Sequence, residues 1–583
     1  MAENLLYYGD NLDILRRYIE NESVDLVYLD PPFKSDQNYN VLFAEHNGSR
    51  SASQIRAFED TWQWDRSAAA AYQEVVESGH QRVSQVMQAF RTCLGESDML
   101  AYLAMMAPRL VELHRVLKPT GSIYLHCDPT ASHYLKMLMD AVFNPVNFKN
   151  EIIWRRTGAH NPRRSFGPIH DTILFYSKTN EYYFQIARRP YMKGHVEHRY
   201  KKEADGSYKF TSGGNILTGA GATSGESGAK WRGFDPSAKK RHWAIPGFLT
   251  EQMPVEFQKL GVLDKLETLY KAGLIDIKEG SAWPTPVRYL LDRNGQPLQD
   301  IWSYQPYTEG TVFGTKEGID HDVAWLGPTD PERLGYQTQK PIGILARIID
   351  SSCPKDGVVL DPFCGCGTTI AAAIELKRRW IGIDITQAAM VVIKKRLNDT
   401  WRDTIKFNVI GEPVSLPDAK VLAENDPYQF QWWALGLVGA RPIEQKKGAD
   451  KGIDGRLYFH DEADSAKAKT KQIIFSVKAG NTTVSHVRDL RGVLDRENAQ
   501  IGVLLSMEKP TKPMRAEAAS AGFYKSPWRN EPYQKLQILT IEELLTGKRI
   551  DCPPLGQVNV TFKKAQKIKE KQEPHPEFGF HEQ

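Results

Sequence analysis

Six cysteines, Cys93, Cys127, Cys353, Cys364, Cys366 and Cys552, are all that 583 residues contain, and no two form a CxxC pair. That scarcity and spacing argue against a zinc ribbon or a disulfide framework and fit a reducing compartment. Apolar runs long enough to span a bilayer are missing, and the chain opens into a strand-like segment rather than an apolar leader. A cytoplasmic protein with no membrane partner is therefore expected. No internal repeat is found, which excludes solenoids and propellers. Charge of one sign is also missing overall: the formal net charge is only +4, so composition alone announces no polyanion partner.

What is present is a long chain with uneven charge. A chain of this length predicts two to four domains. Hydrophobic residues at 41% and charged residues at 25% place it among ordinary globular proteins. Residues 154–241 carry 17 Lys and Arg against 7 Asp and Glu. Basic residues interleaved with aromatics suit a phosphate-facing surface, the alternative being a solvated loop region.

The first part of the chain alternates strands and helices. Residues 25–30 (DLVYLD) read as a buried parallel strand ending in a carboxylate. A helix over 99–117, a turn at Lys118-Pro-Thr-Gly, a strand over 122–126, a helix over 132–143 and strands over 151–154 and 170–176 continue the rhythm. The pattern loosens from about 155 to 334, with Gly-rich and basic stretches, and a long insertion on an α/β scaffold usually carries recognition. Regular patterning returns as a helix over 340–350, a strand over 358–361, a helix over 368–377 and a strand over 380–384. The expected organisation is an α/β domain over 1–405 with an insertion at 180–335, a linker at 406–427, a second α/β domain over 428–552 and a flexible tail over 553–583.

Two signatures carry chemistry. The strand ending at Asp361 runs into Asp361-Pro-Phe-Cys-Gly-Cys-Gly-Thr-Thr369 and then a helix. Gly365 and Gly367 let backbone approach a ligand closely at the carboxyl end of a strand. The next strand ends in Asp384, placed to accept from ribose hydroxyls. One Gly-x-Gly turn is weak evidence; Asp361, both glycines, the Thr pair and Asp384 together fit a nucleoside cofactor.

The second signature is Asp30-Pro31-Pro32-Phe33, directly after a strand. The exocyclic amino group of adenine or cytosine is a poor nucleophile because its lone pair is delocalised into the ring. The Asp30 carboxylate and a backbone carbonyl of the rigid Pro-Pro turn can accept its two N–H bonds, which frees the lone pair for in-line attack on a methyl group. Phe33 can stack on an extruded base. Alone, the tetrapeptide could equally be a strand-terminal turn.

Together these segments resemble the β-group of amino-DNA methyltransferases, close to the modification subunits of Type III restriction systems. The order matters: DPPF comes first and DPFCGCGTT last. Gly9-Asp10-Asn11, Trp154-Arg155-Arg156 and Thr338-Gln339-Lys340-Pro341 add to the likeness, which spans roughly residues 1–400 outside most of the insertion. The resemblance implies a Rossmann-like fold that uses S-adenosylmethionine and acts on double-stranded DNA within a restriction–modification or phage-defence system. It implies that Asp361, Phe363, Gly365, Gly367, Thr368 and Asp384 hold the cofactor, helped by Asp10 and Lys340. Asp30, Pro31, Pro32 and Phe33 would be catalytic. Cys366 stands where the family often has serine, a change of similar size.

Asp at the first position of the tetrapeptide favours adenine N6, with cytosine N4 as the alternative. Cytosine C5 chemistry needs a cysteine nucleophile, usually in a Pro-Cys pair, and the chain has no such dipeptide. Methyltransferases of protein glutamine or of RNA usually place the cofactor loop first, so the order here counts against them.

Residues 430–439 read as an amphipathic helix, Asp454 as the start of a strand, and 473–477 as a strand ending in Lys478. An aspartate followed by a strand carrying a lysine is the skeleton of a Mg²⁺-dependent phosphodiesterase. The region resembles the Mrr-like branch of the PD-(D/E)xK nucleases, through residues 484–492 and a strand over 500–505. The departure is Ser476, where that fold has an acid or Gln. The resemblance then implies a metal held by Asp454, the Val477 backbone carbonyl and a donor such as Glu424 or Glu444. Three readings follow: one chain that methylates and cleaves, a methyltransferase whose second domain only aids DNA binding, or a binding subunit without turnover. A homodimer and further restriction-system subunits are the expected partners.

Overall fold

A computed structural model describes residues 4–32, 64, 66–158, 164–210, 217–250, 253–290, 295–334, 336, 338–401, 404–442, 452–459, 461, 470–527 and 531–553. Phe33, Glu444 and the tail from 554 lie outside the described residues.

The large α/β part contains β1 (Asn4–Tyr8), α1 (Asn11–Tyr18), β2 (Val24–Leu29), α2 (Arg66–Glu77), α3 (Gln81–Leu94), α4 (Asp98–Val116), β3 (Leu117–Cys127), α5 (Pro129–Phe143), β4 (Phe148–Arg155) and β5 (His170–Ser177). It continues through β6 (Ile301–Trp302), α6 (Ile342–Ser352), β7 (Val358–Asp361), α7 (Thr368–Glu375), β8 (Arg379–Asp384), α8 (Gln387–Trp401) and β9 (Phe407–Ile410). These strands form one sheet in the order β6-β4-β5-β3-β2-β7-β8-β1-β9. Only β5 runs against its neighbours β3 and β4; the other described pairings are parallel.

A parallel sheet must be covered on both faces, and every residue of β2 is buried accordingly. One face packs Ile14, Leu15, Met87, Leu103 and Leu135 from α1 and α3–α5. The other packs Ile344, Ile348, Ile370, Met390 and Ile393 from α6–α8. The result is a three-layer Rossmann-like architecture. Helices α2 and α3 lie where the sequence reading assigns no element.

Lys118-Pro-Thr-Gly is not a free turn but an irregularity inside β3. Pairing jumps from Val24↔Leu117 to Leu26↔Ser122, so β3 carries extra residues as a bulge. Lys118 reaches the buried Asp25 at 2.8 and 2.9 Å, and Asp25 also accepts the Val358 N–H at 2.9 Å. The bulge lysine therefore neutralises a carboxylate that links β2 to β7.

The C-terminal α/β part has its own sheet of β10 (Arg441–Pro442), β11 (Gly455–Phe459), β12 (Lys471–Lys478), β13 (Ile501–Ser506) and β14 (Leu536–Thr540), in that order. Strands β12, β13 and β14 are parallel, joined through α10 (Val484–Glu497) and α11 (Lys512–Ser520) on one face. Helix α9 (Pro427–Leu437) supplies Phe430, Trp433 and Ala434 to the core on the other.

The chain divides into two compact units. The first holds both parts above; the second comprises residues 188–298 and 305–321, inside the expected insertion. This second unit is built from short strand pairs around Leu217, Trp231, Trp243, Phe257, Leu266 and Leu269. Among the described residues no helix is long and apolar enough to cross a membrane.

Candidate active site

Strands β2, β7, β8 and β1 are consecutive in the sheet and parallel, so their carboxyl ends share one edge. Asp30 follows β2, Asp361 ends β7, Asp384 ends β8, and Gly9 and Asp10 follow β1. Chain order reverses between β2 and β7, which is where open α/β sheets form a ligand crevice. Backbone groups tie the turns together. The Gly9 N–H donates to the Asp384 carbonyl at 3.0 Å, the Asn11 amide to the Pro362 carbonyl at 2.8 Å, and the Cys364 N–H to the Ile383 carbonyl at 3.1 Å.

The 361–369 turn needs both of its glycines. Gly365 has φ +50° and Gly367 φ +74°, a left-handed region that costs other residues about 1 kcal/mol or more. A Cβ on Gly365 would sit 3.2 Å from the Tyr336 hydroxyl. Gly367 heads α7, and Asp361 accepts the Phe363 N–H at 3.0 Å and a bond from the Thr369 side chain. Asp384 accepts the Gly365 N–H on Oδ2 at 2.9 Å and, on Oδ1, the Thr386 N–H at 2.9 Å and hydroxyl at 2.8 Å. A carboxylate has about four acceptor positions, so Oδ2 keeps one for a ligand hydroxyl.

The proposed base-side residue is also engaged. Lys340 Nζ lies 2.5 Å from Asp30 Oδ2, both side chains being largely buried. The lysine expected at the cofactor is thus paired with the carboxylate of DPPF. Asp10, expected at the cofactor as well, caps α1 through the Leu12 N–H at 2.8 Å and pairs with Arg109 at 2.7 Å. Behind Asp30, Tyr28 meets His126 Nδ1 at 2.9 Å, His126 Nε2 meets Asp171 at 3.2 Å, and Asp171 pairs with Arg156 at 3.2 Å.

In the C-terminal part, Asp454 is buried and its Oδ2 accepts the Val477 N–H at 2.6 Å and the Ser476 hydroxyl at 3.2 Å, with Lys478 Nζ as an ion-pair partner at 3.9 Å. Ser476 thus donates its hydroxyl to Asp454. Among the described residues, no group of three His, Cys, Asp or Glu side chains is arranged to hold a metal. Glu424 sits on an exposed part of the helix Leu416–Asn425. The expected pair Asp454 and Val477 thus lie together, joined by the Val477 N–H on the Asp454 carboxylate.

A family model described as DNA methylase matches residues 24–395, more than half of the chain. The chain belongs to the DNA methylase family. This methylase is 27% identical over 443 residues to the Type III restriction-modification enzyme StyLTI Mod subunit of Salmonella typhimurium, a match covering 73% of the chain and 58% of that protein. It is 26% identical over 402 residues to the Type II methyltransferase M.EcaI of Enterobacter cloacae, covering 68% and 69%. To the EcoP15I Mod subunit of Escherichia coli it is 20% identical over 414 residues, covering 65% and 57%. The matches thus span less than two thirds of either Mod subunit. A second model, described as NACHT-associated inactive Restriction Endonuclease 1, matches residues 428–546 of the methylase.

Of the residues expected at the site, Asp30, Pro31, Pro32, Asp361, Phe363, Gly365, Gly367, Thr368 and Asp384 all lie along the one edge. Two residues went unread in the sequence. Tyr336 lies against the 361–369 turn, its hydroxyl 3.2 Å from where a Cβ on Gly365 would sit. Arg396 is buried beneath the cofactor turn of the methylase and donates from Nη1 to the Cys366 carbonyl at 3.2 Å and to Thr368 Oγ1 at 3.4 Å. The one available signal for Arg396 was a cation in the otherwise apolar face of α8.

Burial pushes the Asp361 carboxyl up to about 7 and the Asp384 carboxyl up to about 6, and the two also repel each other. The folded methylase therefore holds protons that the unfolded chain, with carboxyls near 3.8, releases. Stability from these groups is full below about pH 4 and is lost as pH rises through about 6 and about 7, at up to about 1.4 kcal/mol per group per pH unit. Asp361→Asn should flatten that decline, so its melting temperature gains on the unsubstituted protein between about pH 4 and about pH 8. A difference in melting temperature that stays constant over that range would contradict the raised carboxyl.

Proposed function

We propose that the protein transfers a methyl group from S-adenosylmethionine to the N6 amino group of adenine in double-stranded DNA, as part of a restriction–modification or phage-defence system. The observation that carries this reading is the parallel pairing of β2 with β7, Val359 on Leu26 and Leu360 on Val27, which sets Asp30–Pro32 beside the cofactor turn. The residues present suit the cofactor: Asp361 and Asp384 end adjacent parallel strands, and Asp384 keeps an acceptor position on Oδ2 for a ligand hydroxyl. Gly365 leaves open the space a Cβ would fill against Tyr336.

The cofactor, when bound, supplies an electrophilic methyl on a sulfonium and a ribose diol. In this reading Asp384 accepts a ribose hydroxyl on Oδ2, and the 361–367 turn lines the nucleoside. Asp30 and the carbonyl of the Pro31-Pro32 turn accept the two N–H bonds of the flipped adenine amino group and so localise its lone pair. Lys340 holds one oxygen of Asp30, which fixes the carboxylate and leaves the other oxygen for the amino group. Phe33 is assigned the face of the base. After transfer the nitrogen carries a surplus proton, which passes to solvent. Asp30 rather than Ser at this position favours adenine over cytosine N4. The basic, aromatic-rich segment of 154–241 is assigned to DNA. Two relatives are named as subunits of restriction-modification enzymes, which supports further subunits as partners; a second copy of this chain is proposed beside them.

Methylation-aware sequencing of DNA from cells expressing the protein tests this directly. N6-methyladenine at a recurring site is expected; unmodified DNA, or N4-methylcytosine alone, would overturn it.

The C-terminal part is assigned a non-cleaving role, binding DNA or a partner. Its likeness to the Mrr-like branch rests on Asp454, Lys478 and the 484–492 helix. No Mg²⁺-dependent nicking of supercoiled plasmid is expected. Asp454→Ala should instead cost about 3 kcal/mol of stability by leaving the Val477 N–H and Ser476 hydroxyl without their acceptor. Nicking that vanishes in Asp454→Ala or Lys478→Ala would restore the nuclease.

A further inference from the structure

Helix α9 belongs to the C-terminal part by sequence, yet it has two working faces. Phe430, Trp433 and Ala434 enter the core of its own domain. Gln429, Trp432 and Gly436, spaced at i, i+3 and i+7, line a neighbouring face. That second face meets the methylase domain directly behind the cofactor turns.

Three contacts define the junction. Gln429 is buried, and its Oε1 accepts the N–H of Gln387 at 3.0 Å. Gln387 opens α8 three residues after Asp384, so one of the N–H groups a helix start leaves unsatisfied is capped from another domain. Trp432 is buried against Cys366 of the cofactor turn and Ala388 and Val392 of α8, with Tyr336 packed at the edge of the same cluster. Gly436 marks the closest approach: a Cβ there would sit 2.7 Å from Val391 Cγ2. Helix α9 is itself fixed by Asp426, which caps it through the Tyr428 and Gln429 N–H groups at 3.0 Å each.

We infer that Gln429 and Trp432 are positioning residues for the cofactor, so that the C-terminal domain is a working wall of the methyltransferase site and its state sets cofactor affinity. The inference rests on the reading that S-adenosylmethionine occupies the 361–384 edge. The physical argument is one of support. The Asp384 turn holds the Gly365 N–H, and Gln429 holds the residue after Thr386 in the same turn. The other side of the loop, at Cys366, has Trp432 as its floor. Trp432 and Gln429 thus add a support from the C-terminal domain to the hold that Asp384 and Arg396 have on these turns. Coupling of this kind is reciprocal: a ligand that grips the turns also strengthens the junction with the C-terminal domain.

The test uses the full chain, with S-adenosylmethionine affinity measured by calorimetry, DNA affinity measured separately, and methylation kinetics. Trp432→Ala should weaken cofactor binding by about tenfold or more, raising the cofactor KM while kcat at saturating cofactor and DNA affinity stay within about twofold. Trp432→Phe should restore most of the loss. Gln429→Leu, which keeps the size and removes the acceptor, should weaken cofactor binding in the same direction and serves should Trp432→Ala fail to fold. Ile474→Ala, in the core of the C-terminal domain and away from the junction, should lower the melting temperature without moving cofactor affinity. The inference is overturned if the Trp432 and Gln429 variants bind cofactor like the unsubstituted protein, or if Ile474→Ala weakens it equally. An unsubstituted protein that binds no S-adenosylmethionine at all would instead bring down the proposed function, and this inference with it.

Discussion

Asp30→Ala abolishes methyl transfer, lowering kcat by about a thousandfold or more, while S-adenosylmethionine and DNA affinities change little. The size follows from what the carboxylate is assigned. It accepts one N–H of the target amino group, an interaction that strengthens as the nitrogen turns towards tetrahedral geometry, so its loss falls on the transition state rather than on binding. Asp30→Asn separates charge from shape. The amide keeps an acceptor oxygen but also presents an NH₂, which repels the incoming amino group, and it weakens the pairing with Lys340. It should be nearly as inactive as the alanine variant. Single-turnover methylation with tritiated cofactor reads both. Activity within tenfold of the unsubstituted protein in either variant would remove Asp30 from the chemistry.

Asp384→Ala should fail at the other end of the site, weakening S-adenosylmethionine binding by about a hundredfold with DNA affinity intact. Three donors converge on this carboxylate: the Gly365 N–H, the Thr386 N–H and the Thr386 hydroxyl. Removing it strands those donors, frees the Gly365 turn and withdraws the acceptor proposed for a ribose hydroxyl. Asp384→Asn should recover part of the affinity, since one oxygen remains to accept the Thr386 pair. Equilibrium binding of the cofactor decides the matter, and a dissociation constant unchanged in Asp384→Ala would detach the acidic turn from the nucleoside.

The two expected results probe different strands, and their separation in sequence explains how much could be read beforehand. Short motifs with strict backbone needs were legible. Gly365 and Gly367 lie in left-handed backbone, the strand over 358–361 ends as expected, and the one expected over 25–30 runs Val24–Leu29, with Asp30 directly after it. Less legible was whatever depends on partners far along the chain. Lys340 looked like a cofactor ligand but pairs with Asp30, 310 residues away in sequence. Arg396 and Tyr336 carry no motif, and their place under and beside the turns comes from the packing of α8 and the segment before α6. The Lys118–Gly121 segment has the composition of a turn, yet pairing on both sides of it keeps it within β3 as a bulge.

The Ser476 position shows the same division. Sequence alone identified the missing acid, but not the consequence. That consequence is geometric: the hydroxyl and the Val477 N–H both turn onto Oδ2 of Asp454.

The sequence by itself determined the local chemistry: which turns bend, which strands are buried, and that a carboxylate follows each of three strands. Those properties are decided within a few residues by backbone sterics and side-chain type. Only the tertiary structure decided the neighbours: the alignment of β2 beside β7, the capture of Asp30 by Lys340, and the use of Trp432 from a second domain as the floor of the cofactor turn. Such neighbours arise because a covered parallel sheet brings distant segments to one edge, and packing around that edge, rather than any local preference, selects which side chains meet there.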